Sequence, residues 1–305
     1  CATTSHHVDL SYSRQIMQLY LKGNIAYDNS DLTHYQVLLD TEFPALGTLL
    51  GIDVDALDNI FNYPGLFRYI NGQEQNYSVQ LKGDYSYVNS EAHKGDLGFG
   101  TEYFHFQLDD VRYALGYNYT NVAPENSMIP ERGKGHENSY NAFLQLKHQW
   151  RYLILNAGLR YDHKKRVDGR TLNELSPRVA LILMKPKWNI KLSYSKSFVD
   201  APYMYRKTNE LLPLLTKSSS LEDYATLDPE FVHSFQITFA GLEWAKGLAF
   251  EVNGFYNKAE DLIMTHIIEH LNEAVNKTAG VEVMTSYRSP KYSVEFNCTW
   301  IRTFD

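Results

Sequence analysis

Residues 152–199 read YLILNAGLRYDHKKRVDGRTLNELSPRVALILMKPKWNIKLSYSKSFV, and the character of their side chains alternates. One set of alternate positions at the start is apolar or aromatic: Leu153, Leu155, Ala157, Leu159 and Tyr161. The set between them is mostly polar: Ile154, Asn156, Gly158, Arg160 and Asp162. Because a repeat of two residues is that of an extended strand, we interpret the stretch as three consecutive β-strands.

The apolar face of such strands could have two different neighbours. In a soluble sandwich it points into a core, whereas in an outer-membrane barrel it points outward to lipid and the polar face lines a wet lumen. The last strand of the stretch alternates in the same way, with apolar Ile190, Leu192 and Tyr194 opposite Lys191, Ser193 and Ser195. Alternation alone does not separate the two folds, so the connections between the strands must decide.

The composition limits the class of protein. The longest uninterrupted apolar run, residues 179–184, is far shorter than the ~20 residues that a membrane-spanning helix needs. Aromatic residues make up 14% of the 305 residues and include 23 tyrosines, which suit a membrane–water boundary because the ring is apolar and the hydroxyl polar. The net charge of −7 argues against nucleic acid as a partner, and two cysteines provide no disulfide framework.

The N-terminal part of the chain has a less regular pattern. The predicted order is a turn or disordered start with His6 and His7, a strand at 15–27, a turn at 28–31 and a strand near 34–42. Large apolar residues within 44–75 are spaced like one face of a helix, which Pro64-Gly65 would end. A short helix inside a long loop is therefore predicted there.

Further alternating segments extend along the rest of the chain. They predict strands at 77–87, 97–103, 140–146, 235–239, 248–256, 281–287 and 292–300. The alternating segments 110–120 and 262–268 are expected to lie within outer loops. If 110–120 crossed the membrane, the long loop 121–137 would fall on the side of the short turns. This gives about twelve spanning strands of about ten residues each, as membrane thickness requires.

Short and long connections alternate from residue 138 onward. Short turns are expected near 149 and at 184–188, 243–247 and 289–290, and longer loops at 163–174, 199–230 and 258–277. Short periplasmic turns opposite long extracellular loops are typical of bacterial outer-membrane barrels, whereas a soluble meander has no reason to segregate its loops. The chain is therefore predicted to be all-β, an antiparallel transmembrane β-barrel with the lipid bilayer against its apolar face.

Several motifs together resemble those of the TonB-dependent outer-membrane receptors, especially receptors of Bacteroidetes-like bacteria. They are LNAGLRYD (155–162), LSPRVALIL (175–183), YSKSFVDAPYMYR (194–206), LDPEFVHSFQITFAGLE (227–243), FEVNGFYNKAEDLI (250–263) and TAGVEV (278–283). No single motif is specific, but their order and spacing cover about half of the chain. The resemblance implies a barrel of about 22 strands with a plugged lumen.

The resemblance also implies a function. Such receptors bind a scarce ligand at the outer mouth and import it across the bacterial outer membrane with energy from a TonB-type protein, which couples to an N-terminal region. Residues 1–305 are expected to be a partial barrel from a longer chain, without the plug domain and the final strands. The ligand stays open among siderophore-bound iron, haem, cobalamin and glycan, and no cofactor is implied.

Candidate ligand-binding residues lie in two of the long loops. In the 199–230 loop, Tyr203 and Tyr205 could stack on a flat ligand, and Arg206 could bind a carboxylate or phosphate. The alternative is that the tyrosines belong to an aromatic girdle and the arginine is solvated. His266 and His270 are spaced to share one helical face and could serve haem or a metal, although loop histidines are usually only polar.

No catalytic or metal-binding motif is found in the sequence, so we expect a protein that is not an enzyme. GxSxG, HExxH, P-loop and CxxC patterns are missing, and paired acids such as Asp109-Asp110 lie where turns are expected. Arg160 and Asp162 are expected to form an ion pair on the lumen face. Two alternatives remain: a passive porin or small complete barrel of about twelve strands, and a soluble β-rich binding module.

Overall fold

The computed structural model describes residues 2–40, 65–90, 92–116, 135–203, 205, 206, 209, 226–242, 245–265 and 270–304. In this part of the chain, twelve strands form one antiparallel sheet in which each strand pairs with its neighbours in sequence. The strands are β1 (Ala2–Ile16), β2 (Leu19–Asp40), β3 (Gly65–Asn89), β4 (His93–Gly116), β5 (Gly135–Trp150), β6 (Leu153–Lys165), β7 (Thr171–Lys185), β8 (Trp188–Val199), β9 (Glu230–Leu242), β10 (Leu248–Thr265), β11 (His270–Arg288) and β12 (Ser293–Phe304). The predicted all-β antiparallel architecture is confirmed.

No helix in these described ranges has the length and apolar character needed to cross a membrane.

The apolar face predicted from residues 152–199 is a continuous outer surface of the sheet. Leu159 on β6 is in register with Leu144 on β5 and Pro177 on β7, so the apolar positions of adjacent strands share one face. The side chains on that face stay uncovered: Leu144 is 53% exposed, Leu192 48% and Ile237 52%. A soluble sandwich would bury this face beneath a second sheet, and the described residues form only the one sheet.

The opposite face carries the polar side chains of the alternating pattern. Arg160 Nε donates to Asp162 Oδ1 at 2.8 Å, which confirms the expected ion pair. Similar bonds join other strands, with Asn24 Nδ2 donating to Asp9 at 2.8 Å and Asn253 Nδ2 donating to Glu282 at 3.0 Å. Because such groups are satisfied by one another and by water, this face is suited to line a lumen.

Two rows of aromatic side chains bound the apolar band on the outer face. The upper row contains Tyr27, Tyr77, Tyr103, Tyr140 and Tyr161, with ring centroids 4.9 Å apart for Tyr27–Tyr77 and 5.0 Å apart for Tyr103–Tyr140. The lower row contains Tyr85, Tyr87, Trp150, Tyr152 and Trp188. On β3 and β5 the rows are roughly eight to ten residues apart, or about 20–25 Å for tilted strands, close to the ~25 Å apolar band of outer-membrane barrels.

The connections alternate between the two ends of the sheet, as predicted. The short ones fall at 17–18, 90–92, 151–152, 186–187, 243–247 and 289–292, and all lie at the end that we name the short-turn end. The others fall at 41–64, 117–134, 166–170, 200–229 and 266–269, at the long-loop end. Two of these are shorter than the expected 163–174 and 258–277 loops, because β6, β7, β10 and β11 extend beyond the apolar band.

The predictions for the first forty residues are wrong in their boundaries. His6 and His7 lie inside β1, where His7 Nδ1 contacts the Asp28 carboxylate of β2. Residues 28–31 belong to β2 rather than to a turn, and the first turn falls at 17–18. In these strand ends both faces carry polar residues, so the hydrophobic alternation disappears while the backbone hydrogen bonding continues.

Three other segments also belong to long strands. Residues 65–75, which were expected to lie in the long loop, are part of β3, and the predicted helix before Pro64-Gly65 lies outside the described residues. Residues 110–116 continue β4 and residues 262–265 continue β10, so neither alternating segment is a separate strand. The number of strands agrees with the prediction, but β3 contains 25 residues and β12 contains 12, rather than about ten.

Candidate functional site

Five charged side chains, three of them buried and two partly buried, form a group on the lumen side of the long-loop end. We name Glu137, Lys164, Arg166, Asp200 and Arg206 the ion cluster. Glu137 Oε1 accepts from Arg206 Nη2 at 2.6 Å, and its Oε2 accepts from Lys164 Nζ at 2.7 Å. Lys164 Nζ also lies 2.6 Å from Asp200 Oδ2, and Asp200 Oδ1 accepts from Arg166. The cluster thus joins the outer ends of β5, β6 and β8.

The charges of the ion cluster alternate in sign along the chain of contacts. Each carboxylate bonds two cations, and the Asp168 carboxylate lies 3.9 Å from Arg206 Nη1. The relative exposure of Glu137 is 4%, and that of Arg166 and of Arg206 is 5%. Burial makes a single unpaired charge costly, so these five side chains stabilise the fold only as a set.

The same side chains fasten both ends of the 200–229 connection. Arg206 Nε donates to the Ala201 carbonyl at 3.1 Å, near its beginning, and Arg166 Nη1 donates to the Leu227 carbonyl at 2.8 Å, near its end. The backbone N–H groups of Tyr205 and Arg206 both donate to the Pro202 carbonyl, at 3.0 and 3.2 Å. This helical turn after Pro202 sets the directions of the two side chains.

Tyr205 stacks on His270, which joins two loops that the sequence analysis treated separately. Their ring centroids are 3.9 Å apart and the ring planes differ by 8°. The Asn209 amide donates to the His270 carbonyl at 2.6 Å and accepts from its N–H at 2.9 Å, as a paired strand would. His270 is 5% exposed and Tyr205 36%, so the tyrosine is the member of the pair that solvent reaches.

A third fastening lies beside this stack, at the end of the 200–229 connection. Asn272 accepts from the Asp228 N–H at 2.8 Å and donates to the carbonyls of Asp228 and Asp261, at 2.9 and 2.6 Å. Asp261 has φ of 56°, at an irregularity in the register of β10 with β11. The irregular backbone of β10 thereby provides an acceptor for Asn272, which in turn bonds Asp228 of the loop.

The structure brings together some of the predicted site residues. Tyr205 and His270 are in contact, and Tyr203 lies 6.0 Å from Phe106 between ring centroids. The guanidinium of Arg206 is bonded within the ion cluster, and His266 lies outside the described residues. No three His, Cys, Asp or Glu side chains in the described ranges are grouped to hold a metal ion.

The sequence analysis missed four members of the ion cluster and Asn209. Glu137, Lys164 and Asp200 lie at the ends of alternating segments, so their position was a signal that these charges stand at the rim. No pattern in the sequence indicates which of these charges pair, because the partners come from segments far apart in the chain.

The pKa of the Asp200 carboxyl lies below its ordinary value of 3.8. Burial alone would raise it, but the charge and hydrogen bond of Lys164 and the charges of Arg166 and Arg206 outweigh the burial. A lowered pKa stabilises the folded state above the unfolded pKa, and this contribution declines as pH falls below ~4. We therefore expect thermal stability of the full-length protein to lose the Asp200 contribution only below about pH 4, and Asp200→Asn to remove that acid-dependent step. Thermal melts of the wild type and of Asp200→Asn across pH test this. A wild-type loss of stability that begins near neutral pH and is missing in Asp200→Asn would contradict it.

Comparison with known proteins identifies a family and solved structures that share this architecture. The family model described as TonB dependent receptor-like, beta-barrel, matches residues 3–304. Similar solved structures include the outer-membrane transporter YddB from Escherichia coli, with 13% identity, a TM-score of 0.66, and coverage of 99% of this chain and 42% of that one. The hemophore receptor HasR from Serratia marcescens has 13% identity and a TM-score of 0.62, with coverage of 98% and 48%. The FrpB iron transporter from Neisseria meningitidis has 14% identity and a TM-score of 0.59, with coverage of 99% and 44%.

These likenesses differ in what they establish. At such low identity the solved structures show the fold alone, and the chain spans less than half the length of each of the three. No curated protein matches the chain. The family model, in contrast, covers nearly every residue, including all twelve strands apart from the first residue of β1. The chain belongs to the TonB-dependent receptor family, as a portion of its β-barrel.

Proposed function

We propose that the chain is part of an outer-membrane receptor that binds a scarce ligand at the long-loop end and imports it with energy from a TonB-type protein. The observation that carries this proposal is the ordered rim: ion pairs and a stacked aromatic pair fasten the 200–229 connection to β5, β6 and β11. A rim of this kind holds recognition groups at fixed positions, which lowers the entropy lost on binding. Family membership supports the same class of function.

We also propose that further strands complete the barrel around a plug domain. Among the described residues, β1 pairs only with β2 and β12 only with β11, so the two edges of the sheet are not joined. An unpaired backbone group in lipid costs several kcal/mol, which disfavours an open edge in a bilayer. The similar solved chains are more than twice as long, which also favours a larger barrel over a complete twelve-stranded porin.

Tyr203, Tyr205, Arg206 and His270 of this rim remain proposed ligand-binding residues, as does His266, which lies outside the described residues. Tyr205 is best placed, because His270 supports one face of its ring and the other face can stack on a flat ligand. The main role of Arg206 is to orient the turn that carries Tyr205, since Glu137 neutralises the charge of the arginine. HasR was solved with its hemophore and heme and FrpB is an iron transporter, so ferric siderophores and haem are the first ligands to test, before cobalamin and glycans.

We expect Tyr205→Ala in the full-length receptor to weaken ligand binding about twofold to twelvefold, because one stacking face is worth roughly 0.5–1.5 kcal/mol. Tyr205→Phe is the matched control and should bind normally, since it keeps the ring and the stack on His270. The measurement is the ligand concentration that gives half-maximal uptake by a strain that lacks the wild-type gene, with ferric siderophores, haem, cobalamin and glycans offered in turn.

The energy requirement separates the proposal from its rivals. Import by a TonB-type mechanism should stop when a protonophore collapses the inner-membrane gradient, or when the TonB-type partner is deleted. Uptake that continues under both treatments would indicate a passive porin and would overturn the proposal. A protein that stays soluble without detergent and enters no membrane would instead favour the β-rich binding module.

A further inference from the structure

Two cations share one aromatic ring at the short-turn end. Tyr152 lies in the turn between β5 and β6, with the guanidinium carbon of Arg151 4.9 Å from its ring centroid and the ammonium nitrogen of Lys185 4.0 Å from it. The Met184 N–H donates to the Tyr152 carbonyl at 2.7 Å. This bond holds the turn against the end of β7 and places the ring beside Lys185.

This arrangement lies on the apolar side of the sheet. Lys185 alternates onto the same face as Leu181 and Leu183, and it is in register with Trp188 of β8. Tyr152 and Trp188 belong to the lower aromatic row, which marks one edge of the apolar band. The two cations therefore stand where the polar headgroups of a bilayer would begin.

In the part of the chain that the structure describes, the charges of Arg151 and Lys185 are not neutralised. No carboxylate of the described residues forms an ion pair with either of them. In contrast, Lys164, Arg166 and Arg206 at the long-loop end all bond carboxylates. Two uncompensated positive charges beside one ring attract an anion.

We propose that Arg151, Tyr152 and Lys185 bind the phosphate group of an anionic glycerophospholipid in the membrane leaflet at the short-turn end. The guanidinium and the ammonium donate to the phosphate oxygens, and the tyrosine ring packs at headgroup level. The acyl chains then extend along Leu183, Leu181 and Leu155 on the outer face of β6 and β7. This site rests on the proposed function, which places the sheet in a bilayer.

The test uses the full-length receptor in nanodiscs of phosphatidylcholine that contain a minority of phosphatidylglycerol. Native mass spectrometry then measures how much phosphatidylglycerol stays bound. The combined variant Arg151→Gln with Lys185→Gln should retain about tenfold less, because each cation near a bilayer surface contributes to holding an anionic lipid. The combined variant Arg151→Lys with Lys185→Arg keeps both charges and should retain most of it.

Lys191→Gln is the matched control. Lys191 lies on β8 near the same end of the sheet, forms no ion pair with a described residue, and faces the lumen rather than lipid. It should retain phosphatidylglycerol like the wild type. Normal insertion with unchanged retention in the Arg151→Gln and Lys185→Gln variant, or an equal loss in Lys191→Gln, would overturn this site alone. A wild-type receptor that enters no bilayer would overturn the proposed function and the site together.

Discussion

Replacing Glu137 by alanine is expected to lower the free energy of unfolding of the full-length receptor by about 3–5 kcal/mol, the effect of removing one partner from a buried ion pair. Among the described residues, Glu137 is the only carboxylate within hydrogen-bond distance of Arg206, which is 5% exposed and so loses that partner. Lys164 keeps Asp200 but loses its second partner. The energy of two poorly compensated charges explains why a change at the rim should destabilise the whole fold.

Glu251→Ala provides the control for this measurement. Glu251 lies on the lumen face of β10 and forms no ion pair with a described residue. Its replacement should change stability by less than about 0.5 kcal/mol. Denaturant unfolding followed by tryptophan fluorescence compares the two variants. Equal effects would mean that Glu137 is solvated in solution and that the ion cluster does not fasten the rim.

A charge on the outer face should have a comparable effect. Leu155→Arg is expected to cost about 2 kcal/mol, the lower end of the range for arginine near the midplane of an outer-membrane barrel. Leu155 lies in register with His148 and Leu181, three residues from Tyr152 of the lower aromatic row and six from Tyr161 of the upper row. Because the side chain would meet acyl chains, the guanidinium loses most of its hydration there.

Asn156→Arg is the matched control, one residue further along the same strand. Its side chain faces the lumen, where water screens the nearby Lys147, Arg178 and Lys191, so repulsion should cost about 1 kcal/mol or less. Refolding yield into lipid vesicles and denaturant titration measure both variants. A receptor that tolerates Leu155→Arg but not Asn156→Arg would reverse the assignment of lipid and lumen faces.

The sequence analysis succeeded where one face of a strand meets lipid. There the period of two is enforced by the solvent, and β6, β7 and β8 were located from alternation and turn signals alone. It failed at His6, His7 and residues 28–31, because strand ends beyond the apolar band have water on both faces. Only backbone hydrogen bonds extend the strands there, and those leave no hydrophobic pattern.

The sequence predicted individual residues of the candidate site but not the contacts between them. Tyr205 and His270 were selected from residue type and loop position, and these are local properties. Their contact depends on how the 200–229 connection packs against β11. The hydrogen bonds of Asn209, Arg166 and Asn272 together determine that packing. Such pairings join residues distant in the chain, so a single sequence does not contain a pattern that specifies them.

The double fastening of the 200–229 connection has a consequence for how these receptors diversify. Once both ends are fixed, the entropy lost by closing the chain between them grows only slowly, by about 0.6 kcal/mol for each doubling of its length. Insertions and deletions between Asn209 and Leu227 are therefore thermodynamically inexpensive. A lineage could exchange one specificity for another there while every strand keeps its partners.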